Sequence, residues 1–88
     1  MKIKSGFILR DVGGKTFAVA VGERSKEFKG MITLNATGKI IWKTFENDAT
    51  IDDAVNAILD AFEGAERAVV ESDVKDFVSK LERDGIFE

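Results

Sequence analysis

The spacing of apolar residues changes once along the chain, near residue 35. Up to that point, short segments rich in β-branched and aromatic residues are typical of strands. Beyond it, apolar residues recur at i, i+3, i+4 and i+7, which is the spacing of one face of a helix. Strands that precede helices in this way predict an α+β domain, in which helices pack on one side of a small antiparallel sheet.

Two adjacent glycines separate the first two predicted strands. Gly13-Gly14 lies between Phe7–Val12 and Thr16–Val21, and glycines readily adopt the positive φ of a type I′ turn, so we expect a hairpin. A polar loop is predicted over Gly22–Lys29. Gly30–Leu34 then forms a third, short strand, which we expect at the edge of the sheet. The unpaired N–H and C=O groups of such an edge can bind an extended peptide.

Three helices are predicted after these strands. The first begins behind Asn35 and the second behind Thr50, because both side chains can accept hydrogen bonds from the free N–H groups of a first turn. Asp53 completes a capping box with Thr50, and Gly64 is placed as the C-terminal cap of the second helix. The third helix runs from about Glu66 to Asp84. The apolar faces expected in the core comprise Leu34, Gly38, Ile41, Trp42 and Phe45, then Ile51, Ala54, Val55, Ile58, Leu59 and Phe62, and finally Val70, Val74, Phe77, Val78 and Leu81.

His and Cys are absent from the 88 residues. Their absence removes the commonest general base, the Ser–His triad and any thiolate metal site. A chain of this length forms one domain, residues 1–88, with little room for a deep cleft. We therefore expect neither an enzyme nor a bound metal or cofactor. No segment approaches the ~18 apolar residues of a membrane span and no signal peptide is recognisable, so we expect a cytoplasmic protein without membrane contact.

Both faces of the predicted hairpin carry apolar side chains, because successive residues of a strand point to opposite faces. One layer of helices covers only one face of a sheet. The other face must be covered by a dimer partner, by the C-terminal tail or by a ligand protein. With a two-residue turn, the residues that share one face are Phe7, Leu9, Ala18 and Ala20, and those that share the other are Ile8, Val12, Phe17 and Val19.

The order of several short motifs resembles the PqqD family, which is named after coenzyme PQQ synthesis protein D. The strand-to-helix stretch Gly30–Asn35, followed by Thr37-Gly38 and Ile41-Trp42, is similar to the family's signature. The second helix, from Thr50 onward, and the segment Asp73–Ile86 are similar to the C-terminal half of the family. The likeness extends from about Phe7 to Phe87, almost the whole chain.

The resemblance implies an α+β, winged helix-turn-helix-like fold, with an N-terminal three-stranded antiparallel sheet followed by three helices. It implies a recognition element for ribosomally made, post-translationally modified peptides, which does no chemistry itself. The leader segment of the precursor peptide adds as a strand beside the third strand, lies against the third helix, and is presented to a modifying enzyme, often a radical S-adenosylmethionine enzyme. Whether the product is PQQ or another modified peptide stays open. The residues implied to bind the peptide are Gly30, Met31, Ile32, Thr33, Val70, Asp73, Val74 and Phe77.

Two other functions remain open at this point. A winged-helix DNA-binding or regulatory domain needs several Lys or Arg side chains on one helix. The predicted helix Thr50–Glu63 has none and the formal net charge is −3, so we expect no nucleic-acid partner. A homodimer joined through the hairpin is compatible with peptide binding. On the peptide-binding reading, Lys26, Lys29 or Arg67 would pair with acidic residues of the leader.

Overall fold

Three antiparallel strands and four helices make up the computed structural model, which describes all 88 residues. The sheet has the order β1-β2-β3, so β3 is an edge strand as predicted. No helix in the structure is both long enough and apolar enough to cross a membrane. The elements along the chain are β1 (Phe7–Val12), β2 (Lys15–Ala20), α1 (Arg24–Glu27), β3 (Met31–Leu34), α2 (Ala36–Phe45), α3 (Ile51–Ala61) and α4 (Arg67–Arg83).

The predicted hairpin is confirmed. Gly13 and Gly14 have φ angles of 58° and 80°, and a type I′ turn requires a positive φ at both of its central residues. The register places Val12 opposite Lys15 on either side of this turn. Two glycines therefore set which residues of β1 and β2 face each other, and with them which side chains face the helices.

The three predicted helices are present as α2, α3 and α4, and a fourth helix, α1, lies within the segment that was predicted to be a polar loop. This fourth helix is a single turn of polar residues, so a search for apolar residues at helical spacing does not detect it. Its anchors are local: the Ser25 hydroxyl donates to the Gly22 carbonyl at 2.6 Å, and the Arg24 Nε donates to the Ser5 carbonyl at 2.9 Å. Phe28 follows the helix and packs edge-on against Phe7, with ring centroids 5.5 Å apart.

The predicted starts of α2 and α3 are confirmed by their side-chain caps. The Gly38 N–H donates to Asn35 Oδ1 at 2.7 Å. Thr50 and Asp53 form the full capping box, with distances of 3.1 Å from the Asp53 N–H to Thr50 Oγ1 and 2.9 Å from the Thr50 N–H to Asp53 Oδ2. The predicted end of α3 is misplaced, because the helix is capped by the extended residue Phe62, two residues before Gly64.

A single cluster of 15 buried residues joins the sheet, the helices and the C-terminal tail. Trp42 and Phe45 on α2 are its largest fully buried side chains. The tail turns back as predicted: Ile86 is fully buried, and the Phe87 ring meets the Phe45 ring at a centroid distance of 5.4 Å. The cluster consists of Ile3, Ala18, Ile32, Leu34, Ile41, Trp42, Phe45, Ala54, Val55, Ile58, Val70, Val74, Val78, Leu81 and Ile86.

The two faces of the sheet differ as predicted. Phe7, Leu9 and Ala18 lie in or against the core, whereas Ile8 and Val12 remain 37% and 62% exposed. Because the C-terminal tail packs into the core cluster, it does not cover the opposite face of the sheet. The sequence analysis named three candidates that could cover this face. Two of them therefore remain, a dimer partner and a ligand protein.

The capping box gives the first testable prediction. We expect Thr50→Ala to lower the free energy of unfolding by about 1 kcal/mol, because an N–H of the first turn of α3 loses its acceptor. The measurement is urea unfolding followed by circular dichroism. As a control, Ser79→Ala on the exposed side of α4 should change the free energy by less than about 0.5 kcal/mol. Equal effects of the two substitutions would contradict the assigned role of the cap.

Candidate functional site

The hairpin register fixes the direction in which each backbone group of the sheet points. In a two-residue hairpin, the residues that flank the turn exchange both of their backbone hydrogen bonds, and bonded pairs then alternate with non-bonded pairs. Val12 and Lys15 flank the turn. The bond from the Val21 N–H to the Gly6 carbonyl, at 2.8 Å, falls at the position that this alternation requires.

The same alternation continues into β3. Lys15, and every second residue after it in β2, directs its backbone groups toward β1, so Thr16 and Ala18 direct theirs toward β3. Their partners in the register are Leu34 and Ile32. The backbone N–H and C=O groups of Ile32 are therefore used inside the sheet.

Met31 and Thr33 consequently direct their N–H and C=O groups out of the free edge of β3. Neither residue has a backbone hydrogen bond outside the strand ladder. Their two donors lie roughly 7 Å apart, the spacing at which an added strand offers its own acceptors. Gly30 precedes them with a φ of 116°, a conformation that residues with a side chain rarely adopt. Gly30 thus turns the chain into β3 and leaves its edge exposed.

A surface groove opens where β3 ends, between the start of α2 and the middle of α4. Its volume is about 380 Å³. Ile41, a core residue, lies at its floor together with the half-buried ring of Phe77. Asn35 lines one end and directly follows Leu34, the last residue of β3, so the groove begins close to the C-terminal end of the strand. The lining residues are Asn35, Thr37, Ile41, Asp73, Asp76, Phe77 and Lys80.

Gly38 allows Phe77 to lie against α2. A Cβ atom at residue 38 would stand 2.9 Å from Phe77 Cε2 and 3.0 Å from Asn35 Oδ1, closer than such atoms normally approach. Gly38 is buried inside the first turns of α2, where glycine costs about 1 kcal/mol relative to alanine. Close packing of the aromatic ring thus explains a glycine that helix propensity disfavours.

The charges at the groove are unpaired within the chain. Asp73, Asp76 and Lys80 have no ion-pair partner within 4 Å, whereas Lys26 pairs with Glu23 at 3.3 Å. Two carboxylates and one ammonium group therefore surround an aromatic ring. The groove can attract a cationic side chain that has an apolar stem, because such a stem can lie on Phe77 while its charge stays near water.

Arg67 is held by its own helix and by α3. Its guanidinium donates to Asn56 Oδ1 at 2.6 Å and lies 3.6 Å from a carboxylate oxygen of Glu71. Near the hairpin turn, the Thr16 hydroxyl and the charge of Lys39 lower the pKa of the Asp11 carboxyl below its ordinary value. Asp11 thereby links the hairpin to α2, and its carboxylate already has partners.

The eight residues implied to bind a peptide separate into two groups. Gly30, Met31 and Thr33 are exposed, and Asp73 and Phe77 line the groove. In contrast, the side chains of three residues lie in the core, namely Ile32, Val70 and Val74, which are 7%, 6% and 0% exposed. Contact of any of these residues with a peptide stays a prediction.

The sequence reasoning missed five residues of the groove. Asp76 and Lys80 stand three and seven residues beyond Asp73 on α4, so a search for its helical neighbours would have found them. The other three, Asn35, Thr37 and Ile41, were interpreted only as helix cap, family motif or core, because nothing in the sequence shows that α4 leaves this part of α2 uncovered.

One of the comparisons with known proteins identifies a family, and another finds a similar fold. The family model described as coenzyme PQQ synthesis protein D (PqqD) matches residues 7–86. A solved structure described as TbiB1 in complex with the TbiA(beta) leader peptide has a similar fold. Its TM-score is 0.74 at 23% sequence identity, and the match covers 100% of this chain and 95% of that one. No curated protein sequence matches the chain.

The contact between Gly38 and Phe77 gives a prediction that needs no ligand. We expect Gly38→Ala to lower the free energy of unfolding in the wild-type background, because the new methyl group displaces the ring. In a Phe77→Ala background, the same substitution should lower it less, because only the approach to Asn35 Oδ1 at 3.0 Å remains and helix propensity favours alanine by about 1 kcal/mol. The measurement is a double-mutant cycle by urea unfolding. Additive effects of the two substitutions would show that the ring and residue 38 do not interact.

Proposed function

The chain belongs to the PqqD family, and we propose that it binds the leader segment of a ribosomally made precursor peptide by strand addition beside β3. The observation that carries this proposal is the free edge of β3, where Met31 and Thr33 direct unpaired backbone groups outward. Membership of the family supports the function. The fold shared with TbiB1, which was solved in complex with a leader peptide, supports a peptide of that kind as the ligand.

The edge alone gives too little affinity for a specific complex. Two donors and two acceptors form at most four hydrogen bonds with an added strand, each contributing about 0.5–1.5 kcal/mol. Their sum of about 2–6 kcal/mol falls short of the ~8 kcal/mol of a micromolar complex. Contacts of side chains must supply the remainder, and the groove that begins beside β3 is the place where they form.

The chemistry of the groove defines the side chain that it accepts. Phe77 offers an aromatic surface, and Asp73 and Asp76 offer two unpaired carboxylates at its rim. A Lys or Arg of the leader places its alkyl stem on the ring and its charge beside the carboxylates, where a cation–π interaction adds to the attraction. The expectation from sequence that acidic leader residues pair with Lys26, Lys29 or Arg67 stays a prediction, and of these three residues Lys26 and Arg67 already have partners within the chain.

The chain acts as a carrier rather than as an enzyme. Its composition lacks His and Cys, and the site consists of backbone groups, an aromatic ring and surface carboxylates. The bound leader leaves the rest of the precursor free to reach a separate modifying enzyme, for which a radical S-adenosylmethionine enzyme is the first candidate. We place this step in the cytoplasm, where the precursor is synthesised, and include PQQ among the products to be tested.

Strand addition predicts the effect of one substitution in β3. Thr33→Pro removes an outward N–H while leaving the hydrogen bonds between β2 and β3 in place, because Thr33 does not donate to β2. We expect the dissociation constant for a synthetic leader peptide to rise at least about tenfold, the equivalent of about 1.4 kcal/mol. Isothermal titration calorimetry measures it, with the precursor peptide encoded beside this chain's gene as the source of the leader sequence.

Thr33→Val is the matched control, since valine keeps the backbone N–H and has nearly the same shape. Its dissociation constant should stay within about threefold of the wild-type value, because strand addition draws on the backbone. Circular dichroism checks that both variants are folded. Wild-type affinity in a folded Thr33→Pro variant would exclude β3 as the binding edge.

The charge of the groove predicts a second effect. Asp76→Lys should weaken binding of a leader that carries Lys or Arg, and more strongly at low than at high ionic strength, because salt screens the repulsion. Asp60→Lys on α3 changes the net charge equally, from −3 to −1, but lies away from the groove. If both variants bind the leader equally at every salt concentration, the cationic preference is wrong.

A further inference from the structure

The face of the sheet that points away from the helices carries an apolar row across all three strands. Ile8, Val19 and Met31 are opposite one another in the register, with Ile8 37% and Met31 60% exposed. Val12 extends the same face toward the hairpin turn and is 62% exposed. None of these residues packs against the core cluster. An exposed apolar patch of this kind on a small domain indicates a surface for protein contact.

The charges on this face have one sign. Arg10 and Lys15 point to the same side as the apolar row, because both are an even number of residues from its members, and neither has an ion-pair partner within 4 Å. Asp11, the only acidic residue of the two strands, points to the opposite side and bonds to Thr16 and Lys39. The outer face is therefore apolar and basic on a chain whose net charge is −3.

The positive charge of this face distinguishes between its two remaining candidate partners, a second copy of the chain and a different protein. A second copy docked face to face would bring the basic groups of both copies into one interface, with no carboxylate of the strands on that face to compensate them. A different protein with carboxylates around an apolar centre would pair with both groups. Charge complementarity thus favours a partner of another sequence over a homodimer.

The outer face is also continuous with the edge that binds the peptide. Met31 belongs to both, since its side chain lies in the apolar row while its backbone groups face the free edge of β3. A peptide strand beside β3 would lie about 4.8 Å farther along and would extend the same face. A protein that docks there would touch the bound leader as well as the sheet.

We propose that the outer face of the sheet docks the modifying enzyme, through an acidic-rimmed apolar surface that contacts Ile8, Val19, Met31 and the bound leader together. This inference rests on the proposed function, because the enzyme is the protein to which the leader is presented. It predicts that the enzyme binds the loaded chain more tightly than the empty chain. By linkage, the peptide then binds more tightly in the presence of the enzyme, by the same factor.

The test uses the purified full chain, the synthetic leader peptide and the modifying enzyme encoded beside this chain's gene. Ile8→Glu and Arg10→Glu alter the face at β1, two strands away from the peptide edge. Each should weaken binding of the enzyme at least tenfold while the affinity for the peptide stays within twofold. Phe62→Glu is the matched control, since Phe62 is 39% exposed at the end of α3, and it should change neither affinity.

The outcomes separate this proposal from its alternatives. Unchanged affinity of the enzyme for both folded β1 variants overturns it. A wild-type dimer in sedimentation that Ile8→Glu converts to the 9.7 kDa monomer overturns it in favour of a second copy. Binding of the wild-type chain to vesicles of phosphatidylcholine and phosphatidylserine, lost in Arg10→Glu, overturns it in favour of a membrane. If the enzyme docks as predicted but the peptide does not bind, the proposed function fails and the docking surface stands.

Discussion

One layer of helices covers only one face of the three-stranded sheet, and the candidate sites lie on the parts of the sheet that stay uncovered. The helices and the C-terminal tail cover the face of the sheet that carries Ala18 and Leu34. The opposite face and the edge of β3 stay open, because none of the four helices packs there. In most proteins an exposed strand edge favours aggregation, because its backbone N–H and C=O groups are unpaired. A ligand that pairs with these groups would cover the edge of β3.

The packing of α2 connects the stability of the fold to the shape of the groove. Trp42 is fully buried and meets Phe7 of β1 edge-on, with ring centroids 5.6 Å apart. Its buried indole N–H has no acceptor among the protein atoms, so packing against its neighbours positions the ring. One turn earlier, Gly38 has no side chain and leaves space for the ring of Phe77 of α4. The same helix therefore holds the sheet on one side and shapes the floor of the groove on the other.

Local chemistry made much of the fold predictable from the sequence. The hairpin glycines, the caps at Asn35 and Thr50 and the apolar spacing of the helices each act through a few neighbouring residues. The one-turn helix α1 escaped because Ser25 and Arg24 stabilise it with hydrogen bonds rather than with an apolar face. The sequence therefore predicts the elements that a few neighbouring residues determine. It does not predict a short polar segment that forms a single helical turn.

The edge position of β3 was predictable from the sequence, but the directions of its backbone groups were not. The sequence indicated β3 as the edge, yet it could not distinguish Ile32 from Thr33, because the direction of their backbone groups depends on pairing with β2. Likewise, Val74 and Phe77 share one apolar stripe of α4, and only the approach of α2 decides that the valine is buried and the ring reaches the groove. Such distinctions come from tertiary packing, which apolar spacing does not encode.

The central claim is that the outward amides of β3 receive the peptide. Amide hydrogen exchange, measured by nuclear magnetic resonance with and without a saturating leader peptide, tests it residue by residue. In the free chain, we expect Met31 and Thr33 to exchange quickly, and Ile32 and Leu34 to be protected by their bonds to β2. Addition of the peptide should slow exchange at Met31 and Thr33 and leave the other two unchanged. Saturation without protection of Met31 and Thr33 would show that the peptide binds elsewhere, and strand addition at β3 would be wrong.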